Sequence, residues 1–255
     1  MNDLLPALPL SSGPPASGFL SSDLLSSDFL SSDFLSETVR ALPSIAGGLL
    51  VTLEATLLGA ALALVVAFAL GLAALSRRML VRGASRAVVE FLRGTSLYVQ
   101  LFWLFFALPM LGFRLEPLAC GVLAFGLNYG AYGAEVVRGS IAAVPAAQTE
   151  AAIALGMGPG LRLRRVVLPQ AYALMIPPFK NLLIQLLKAT PLLSLVTVAD
   201  LTFRIDQLRS ATGGTAAAYL LLLLLYFGVA VLLSAGMNAL ERSAKARLGQ
   251  EGGGA

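Results

Sequence analysis

Apolar residues in this chain gather in long runs from which charge is missing. Ala55 to Leu75 gives 21 such residues, Gly94 to Phe113 gives 20, Pro117 to Ala134 gives 18 and Ala216 to Leu240 gives 25. A fifth apolar stretch, Leu168 to Ala199, is interrupted by Lys180 and Lys188. A helix needs about 20 apolar residues to cross roughly 30 Å of hydrocarbon. The pattern therefore predicts five transmembrane helices in an all-α integral membrane protein. The first helix is expected to start nearer Pro43, and the third to run past Glu135 toward Gly139.

The ends of the chain read differently. Between Ser17 and Leu35 a five-residue unit recurs as "SSDLL", "SSDFL" and "SSDFL". A period of five matches the burial pattern of neither helix nor strand, so residues 1–42 read as a low-complexity extension, without structure over the repeat. With Asp3 as its first charge and no basic start, this segment does not resemble a secretory signal. Residues 43–248 form the transmembrane domain, and residues 249–255 a flexible tail.

Between the third and fourth runs lies "TEAAIALGMGPGLRLRRVVLPQAY", Thr149 to Tyr172. Pro145 can open a helix at its first turn, and Ala146 to Leu155 are strong helix formers. Gly156 then offers a left-handed stop, and "GMGPG" forbids continuation. Leu161 to Val167 resume as a second short helix, and Pro169 marks entry to the next span. Ala151, Ala152 and Gly156 would give this loop a smooth face open to close approach.

Composition excludes several classes. The chain of 255 residues is 57% hydrophobic and 13% charged, with mean hydropathy +0.82. Soluble domains carry about 25% charged residues. Histidine is absent and Cys120 is the lone cysteine, which rules out a disulfide framework, a zinc site and a Cys–His nucleophile. No G-x-x-x-x-G-K-[ST] phosphate loop is present, so ATP, if used, binds another chain. No cofactor, metal or nucleic acid is expected.

Basic residues set the orientation. Twelve lie in three segments: Arg77 to Arg93, Arg138 to Arg165, and the tail from Arg242. The segments on the opposite side hold four, Arg40, Arg114, Arg204 and Arg209. The loop at residues 145–170 and the C-terminus are thus expected in the cytoplasm, and the N-terminus outside.

The spacing Glu150-Ala151-Ala152, three residues, Gly156, nine residues, Val166-x-Leu168-Pro169 resembles the EAA loop of bacterial ABC importer permeases, with Val for Ile as its one departure. "EFLRGTSLYVQLFWLFFALP", "NYGAYGAEVVRGSIAAVPAAQTEAA" and "LLKATPLLSLVTVADLTF" are similar to the polar amino acid subfamily. The resemblance covers roughly Ile45 to Leu248. It implies the type I importer permease fold in the bacterial inner membrane, and a transport rather than an enzymatic role. It also implies a coupling loop carried by Glu150, Ala151, Ala152, Gly156, Leu168 and Pro169 that docks on an ATP-binding subunit. The further partners it implies are a second permease, identical or paralogous, an extracytoplasmic solute-binding protein and membrane lipid. The solute would be a polar amino acid or a related compatible solute.

Ionisable and polar groups inside spans are costly and default to functional candidates. Lys188 and Gln185, with Asn128, Tyr132 and Gln100, are candidates for a translocation path. Lys180 reads as a snorkelling lysine, and Glu135 with Arg138 as a local ion pair three residues apart. Gly126, Gly130 and Ala134 form a small-residue stripe suited to close helix contact. Three alternatives stand beside the importer reading. One is a permease for another small solute, and one a self-contained secondary transporter, which would show more spans or an internal repeat. A membrane enzyme would need a catalytic constellation that these residues do not supply.

Overall fold

The computed structural model describes residues 32–247, with side chains over residues 34–243. The repeat up to residue 31 and the tail at residues 249–255 lie outside the described residues. The described residues form helices joined by short turns, with no strand among them. Helix α1 is Ser32–Ala74, α2 is Met79–Gly94 and α3 is Leu97–Phe102, extended by a π turn, Trp103–Ala107, and a 3-10 turn, Leu108–Leu111. Then come α4, Pro117–Ala142; α5, Ala146–Ala154; α6, Pro159–Arg162; and a π turn, Leu163–Val167, leading into α7, Leu168–Ala189. A 3-10 stretch, Thr190–Val196, precedes α8, Leu201–Thr212, and α9, Thr215–Arg247.

Local sequence explains most of the breaks. Gly112 and Gly213 take left-handed φ angles of 91° and 72°, which glycine adopts without a Cβ penalty. Pro117 opens α4 at its first turn, where its missing N–H is not needed. Asp200 caps α8 by accepting from the Phe203 N–H at 2.9 Å.

Among the described residues, three helical stretches are long and apolar enough to cross a membrane: Phe34–Ala74, Pro159–Val196 and Thr215–Ser243. A fourth crossing exists if Met79–Gly94 and Leu97–Leu111 count as one, bent by 98°. The bend falls between Gly94 and Leu97, at the start of the second charge-free run, and leaves one helical stretch, Leu97–Leu111, within that run. Leu97 to Leu111 alone covers roughly 22 Å at about 1.5 Å per residue. Helix α4, at 26 residues, is long enough to be the fifth, but its glycines, tyrosines and Asn128 lower its apolarity. It can carry them because it is a central helix. Its buried residues include Cys120, Phe125, Asn128, Ala131, Gly133 and Val137, spread around the helix.

The first helix begins at Ser32, well before Pro43, and keeps Pro43 inside it. The reason is tertiary. Phe34, in the last repeat unit, is buried in an apolar cluster with Ile45, Leu201, Ile205, Leu208 and Ala218. That cluster holds the N-terminal part of α1 against α8 and α9.

The small-residue stripe meets α1. A Cβ on Gly130 would stand 2.6 Å from the Val66 Cβ, and one on Gly133 2.7 Å from the Ala67 Cβ. From the other side, a Cβ on Gly71 would stand 2.8 Å from Val137. The two backbones approach to a distance that side chains would prevent. Glu135 and Arg138 form the expected local pair at 2.7 Å.

Candidate functional site

The loop between α4 and α7 is built by its turn residues. Pro145 sits extended at the N-cap of α5. At the other end Gly156 takes φ +73°. Its N–H donates to the Ile153 carbonyl at 2.9 Å, and the Met157 N–H donates to the Ala152 carbonyl at 3.0 Å. This is a Schellman closure, which satisfies carbonyls that a helix end leaves open and needs a residue at ease with positive φ. Pro159 then opens α6, and the chain turns back toward α7.

The closure fixes which side chains face outward. Glu150, Ala151 and Gly156 are exposed, as is Pro169, and Leu168 is half-buried. Ala152 points inward, 2% exposed, so the smooth outer face does not include it. The outward face carries Ile153, Leu155 and Leu161 instead, with Leu155 81% exposed. Ile153 and Leu155, presented this openly on the short helix α5 and its C-cap, form an apolar patch of the kind that marks contact surfaces. The spacing pattern passed over Ile153 and Leu155 because it records small residues. The signal that could have found them is two large apolar residues set among alanines on a short helix between two apolar runs. Arg164 and Arg165 are exposed, and Arg162 is half-buried.

The five path candidates fall into two groups. Gln100 and Asn128 come together, but around the bend between α2 and α3. The Gln100 amide donates to the Leu92 carbonyl at 2.8 Å and to Thr95 Oγ1 at 2.6 Å. The Asn128 amide donates to the same carbonyl at 3.0 Å and to Gln100 Oε1 at 3.3 Å. Leu92 is near the end of α2, where carbonyls lack helical partners, so these two amides hold the 98° corner. Tyr132 lies nearby with the Arg93 guanidinium 5.0 Å over its ring, a cation–π contact.

Lys188 and Gln185 belong to a separate feature. With Asn181 they occupy positions i, i+4 and i+7 of α7, and all three are exposed. These spacings put them on one face. The Gln185 backbone carbonyl accepts from the Tyr129 hydroxyl at 3.0 Å, and the residue itself is exposed. Lys180, by contrast, bonds Asn238 of α9 at 2.7 Å, and Thr190 is buried against Tyr226 at 3.1 Å. A cavity of about 240 Å³ between α1, α7 and α9 is apolar, lined among others by Leu64, Phe68, Met175, Phe179 and Met237. The polar face is not part of it.

At the far end of the helices, a buried polar cluster joins α1, α8 and α9. Thr52 Oγ1 accepts from the Leu201 N–H at 3.0 Å, and the Tyr226 hydroxyl lies between Thr190 and Thr202 at 3.1 and 3.2 Å. Asp200 is fully buried and its Oδ2 has no hydrogen-bond partner. Burial pushes its carboxyl up from 3.8 to about 6, against the pull of the Phe203 N–H. The folded state therefore binds a proton that the unfolded chain releases between those values. Stability is expected to fall as pH rises across this window, by about 3 kcal/mol in total, and to be flat above it. Asp200→Asn should remove that slope in thermal melts taken from pH 4 to pH 7; an unchanged slope would assign it to other groups.

Among the described residues no group of three or more acidic, cysteine or histidine side chains could hold a metal ion. Residues 65–246 match the family described as binding-protein-dependent transport system inner membrane component. A probable amino-acid ABC transporter permease protein of Sinorhizobium fredii is 48% identical over 208 residues, covering 79% of this chain and 87% of that one. The L-cystine transport system permease protein TcyB of Bacillus subtilis is 35% identical over 201 residues, 78% of this chain and 86% of that one. A crystal structure of an amino acid ABC transporter with histidines superposes with TM-score 0.77 at 31% identity, over 82% of this chain and 98% of that one.

Proposed function

Because this chain belongs to the family of inner membrane components of binding-protein-dependent transport systems, we propose that it is the permease subunit of an ATP-driven importer for polar amino acids. The observation that carries the reading is the polar face of α7. Asn181, Gln185 and Lys188 stand exposed on a helix otherwise fit for lipid. A charged group at such depth is stable only against water, protein or a bound polar solute. A second permease facing α7 would enclose that stripe in a polar path. The names of the relatives, among them cystine, arginine and glutamine permeases, support an amino acid as the solute.

ATP hydrolysis belongs to a separate subunit that docks on the outward face of α5, with Glu150, Ala151 and Leu155 at the contact. The segregation of basic residues supports a cytoplasmic place for that face and for the C-terminus, with the N-terminus outside. A solute-binding protein delivers the solute from the outer side.

The test is uptake of radiolabelled amino acids by cells making the whole importer. Lys188→Met keeps side-chain length and removes charge. It should lower uptake roughly tenfold, equivalent to about 1.4 kcal/mol, with the ATPase still co-purifying. Wild-type uptake by this variant would remove Lys188 from the path.

A further inference from the structure

We infer that α2 is an interfacial helix that binds the phosphate headgroups of anionic phospholipid through Arg77, Arg78, Arg82 and Arg86. Its assignment to the cytoplasmic leaflet rests on the orientation proposed above.

The helix has three faces. The inner one is fixed to the protein. Ser85 Oγ donates to the Leu70 carbonyl of α1 at 2.7 Å, and Val89 is buried with Ala131 and Ala134 of α4. A second face, on one side of that contact, is apolar and open. Leu80 is 88% exposed and Phe91 68%, with Ala84, Ala87 and Val88 between them also exposed. The third face, on the other side, carries Arg82, Arg86, Glu90 and Arg93. At 100° per residue this places an apolar strip and a cationic strip side by side on the surface left uncovered.

Direction decides what covers them. Helix α2 meets α3 at 98°; with α3 entering the bilayer, α2 is placed along the membrane plane. A helix in that position with an apolar side and an arginine side is suited to the headgroup boundary, its apolar side toward the acyl chains. The charges have no internal answer. Arg93 stacks on Tyr132, and Glu135 is bonded to Arg138, though it also lies within electrostatic reach of Arg86 and Arg93. Among the described residues Arg77, Arg78, Arg82 and Arg86 make no ion pair. Guanidinium groups grip phosphate oxygens in pairs of hydrogen bonds; Arg82 and Arg86 on the helix face, with Arg77 and Arg78 just before its first turn, suit a leaflet that presents phosphate at high density.

The proposal is tested on the full-length permease in two ways. In nanodiscs, nitroxide labels are attached one at a time to Leu80→Cys, Phe91→Cys, Gly83→Cys and Glu90→Cys in a Cys120→Ala background. The labels at 80 and 91 should respond to oxygen, and those at 83 and 90 to a water-soluble nickel reagent. A label at 91 shielded from both would mean that protein covers the face, and would overturn the assignment. In detergent, phosphatidylglycerol should raise Tm where phosphatidylcholine does not. Arg82→Gln with Arg86→Gln should lose more than half of that rise, and Arg82→Lys with Arg86→Lys should retain it. Equal effects of the two lipids, or the same rise with soluble glycerol phosphate, would also overturn it. The labels report on the site even where the glutamine variant fails to fold. They leave the importer reading to be judged separately by uptake.

Discussion

Gly130→Leu is expected to reduce the yield of folded permease roughly tenfold or more, because failed membrane folding is cleared rather than tolerated. At Gly130 a Cβ alone would stand 2.6 Å from the Val66 Cβ and 3.2 Å from the Ala63 carbonyl oxygen. The first neighbour is branched at that carbon and stiff; the second is helix backbone and does not move aside. Relief requires α4 to separate from α1 along the whole stripe, which also parts Gly133 from Ala67 and Gly71 from Val137. Overpacking of this kind costs about 3 kcal/mol or more, against a total stability of about 5–15 kcal/mol. Gly139→Leu, on the same helix but with nothing within 4 Å of its Cβ, should fold at wild-type yield. Size-exclusion profiles of the two variants check the contrast. A monodisperse Gly130→Leu peak of normal height would mean that the helices are not held as closely as described.

That stripe was readable from sequence, since Gly126, Gly130 and Ala134 repeat every four residues where a lipid-facing helix would carry large side chains. The left-handed stop at Gly156 was readable because a glycine directly after the helix-forming run Ala146 to Leu155 suits a C-terminal stop. What hydropathy could not read was direction. Gly94 to Phe113 is free of charge from end to end, yet at its start, between Gly94 and Leu97, the chain turns by 98°. The turn depends on Asn128 and Gln100 reaching one carbonyl from positions 28 residues apart, and no local window contains both. The start of α1 escaped for the same reason, because Phe34 is held by residues of α8 and α9 that lie more than 160 positions later in the chain. In the candidate site, the polar residues were named from depth alone. Depth cannot separate an amide that secures a backbone corner, as at Gln100, from one left facing outward, as at Gln185.

Gly156→Val tests the loop where its geometry is most exacting. The residue holds φ +73°, and a Cβ there would meet nothing within 4 Å in this chain. Crowding inside the permease is therefore not the difficulty; conformation is. A left-handed backbone costs an ordinary L-residue about 1–2 kcal/mol, and a β-branched side chain is less suited still. Valine would open the Schellman closure and release the two bonds made to the Ile153 and Ala152 carbonyls. The outward face of Glu150, Ala151 and Leu155 would then lose its fixed angle to α7, while the spans that insert the protein are untouched. The expected result is uptake lowered at least tenfold, a loss of about 1.4 kcal/mol or more in coupling, with normal amounts of permease in the membrane. Gly156→Asn, which tolerates the left-handed region, should keep most of the uptake, and Glu150→Lys should lower it by reversing a charge on the contact face. Uptake measured beside co-purification of the ATPase separates a lost partner from a bound but uncoupled one. If Gly156→Val transports as wild type does, the contact with the ATPase lies elsewhere on this chain.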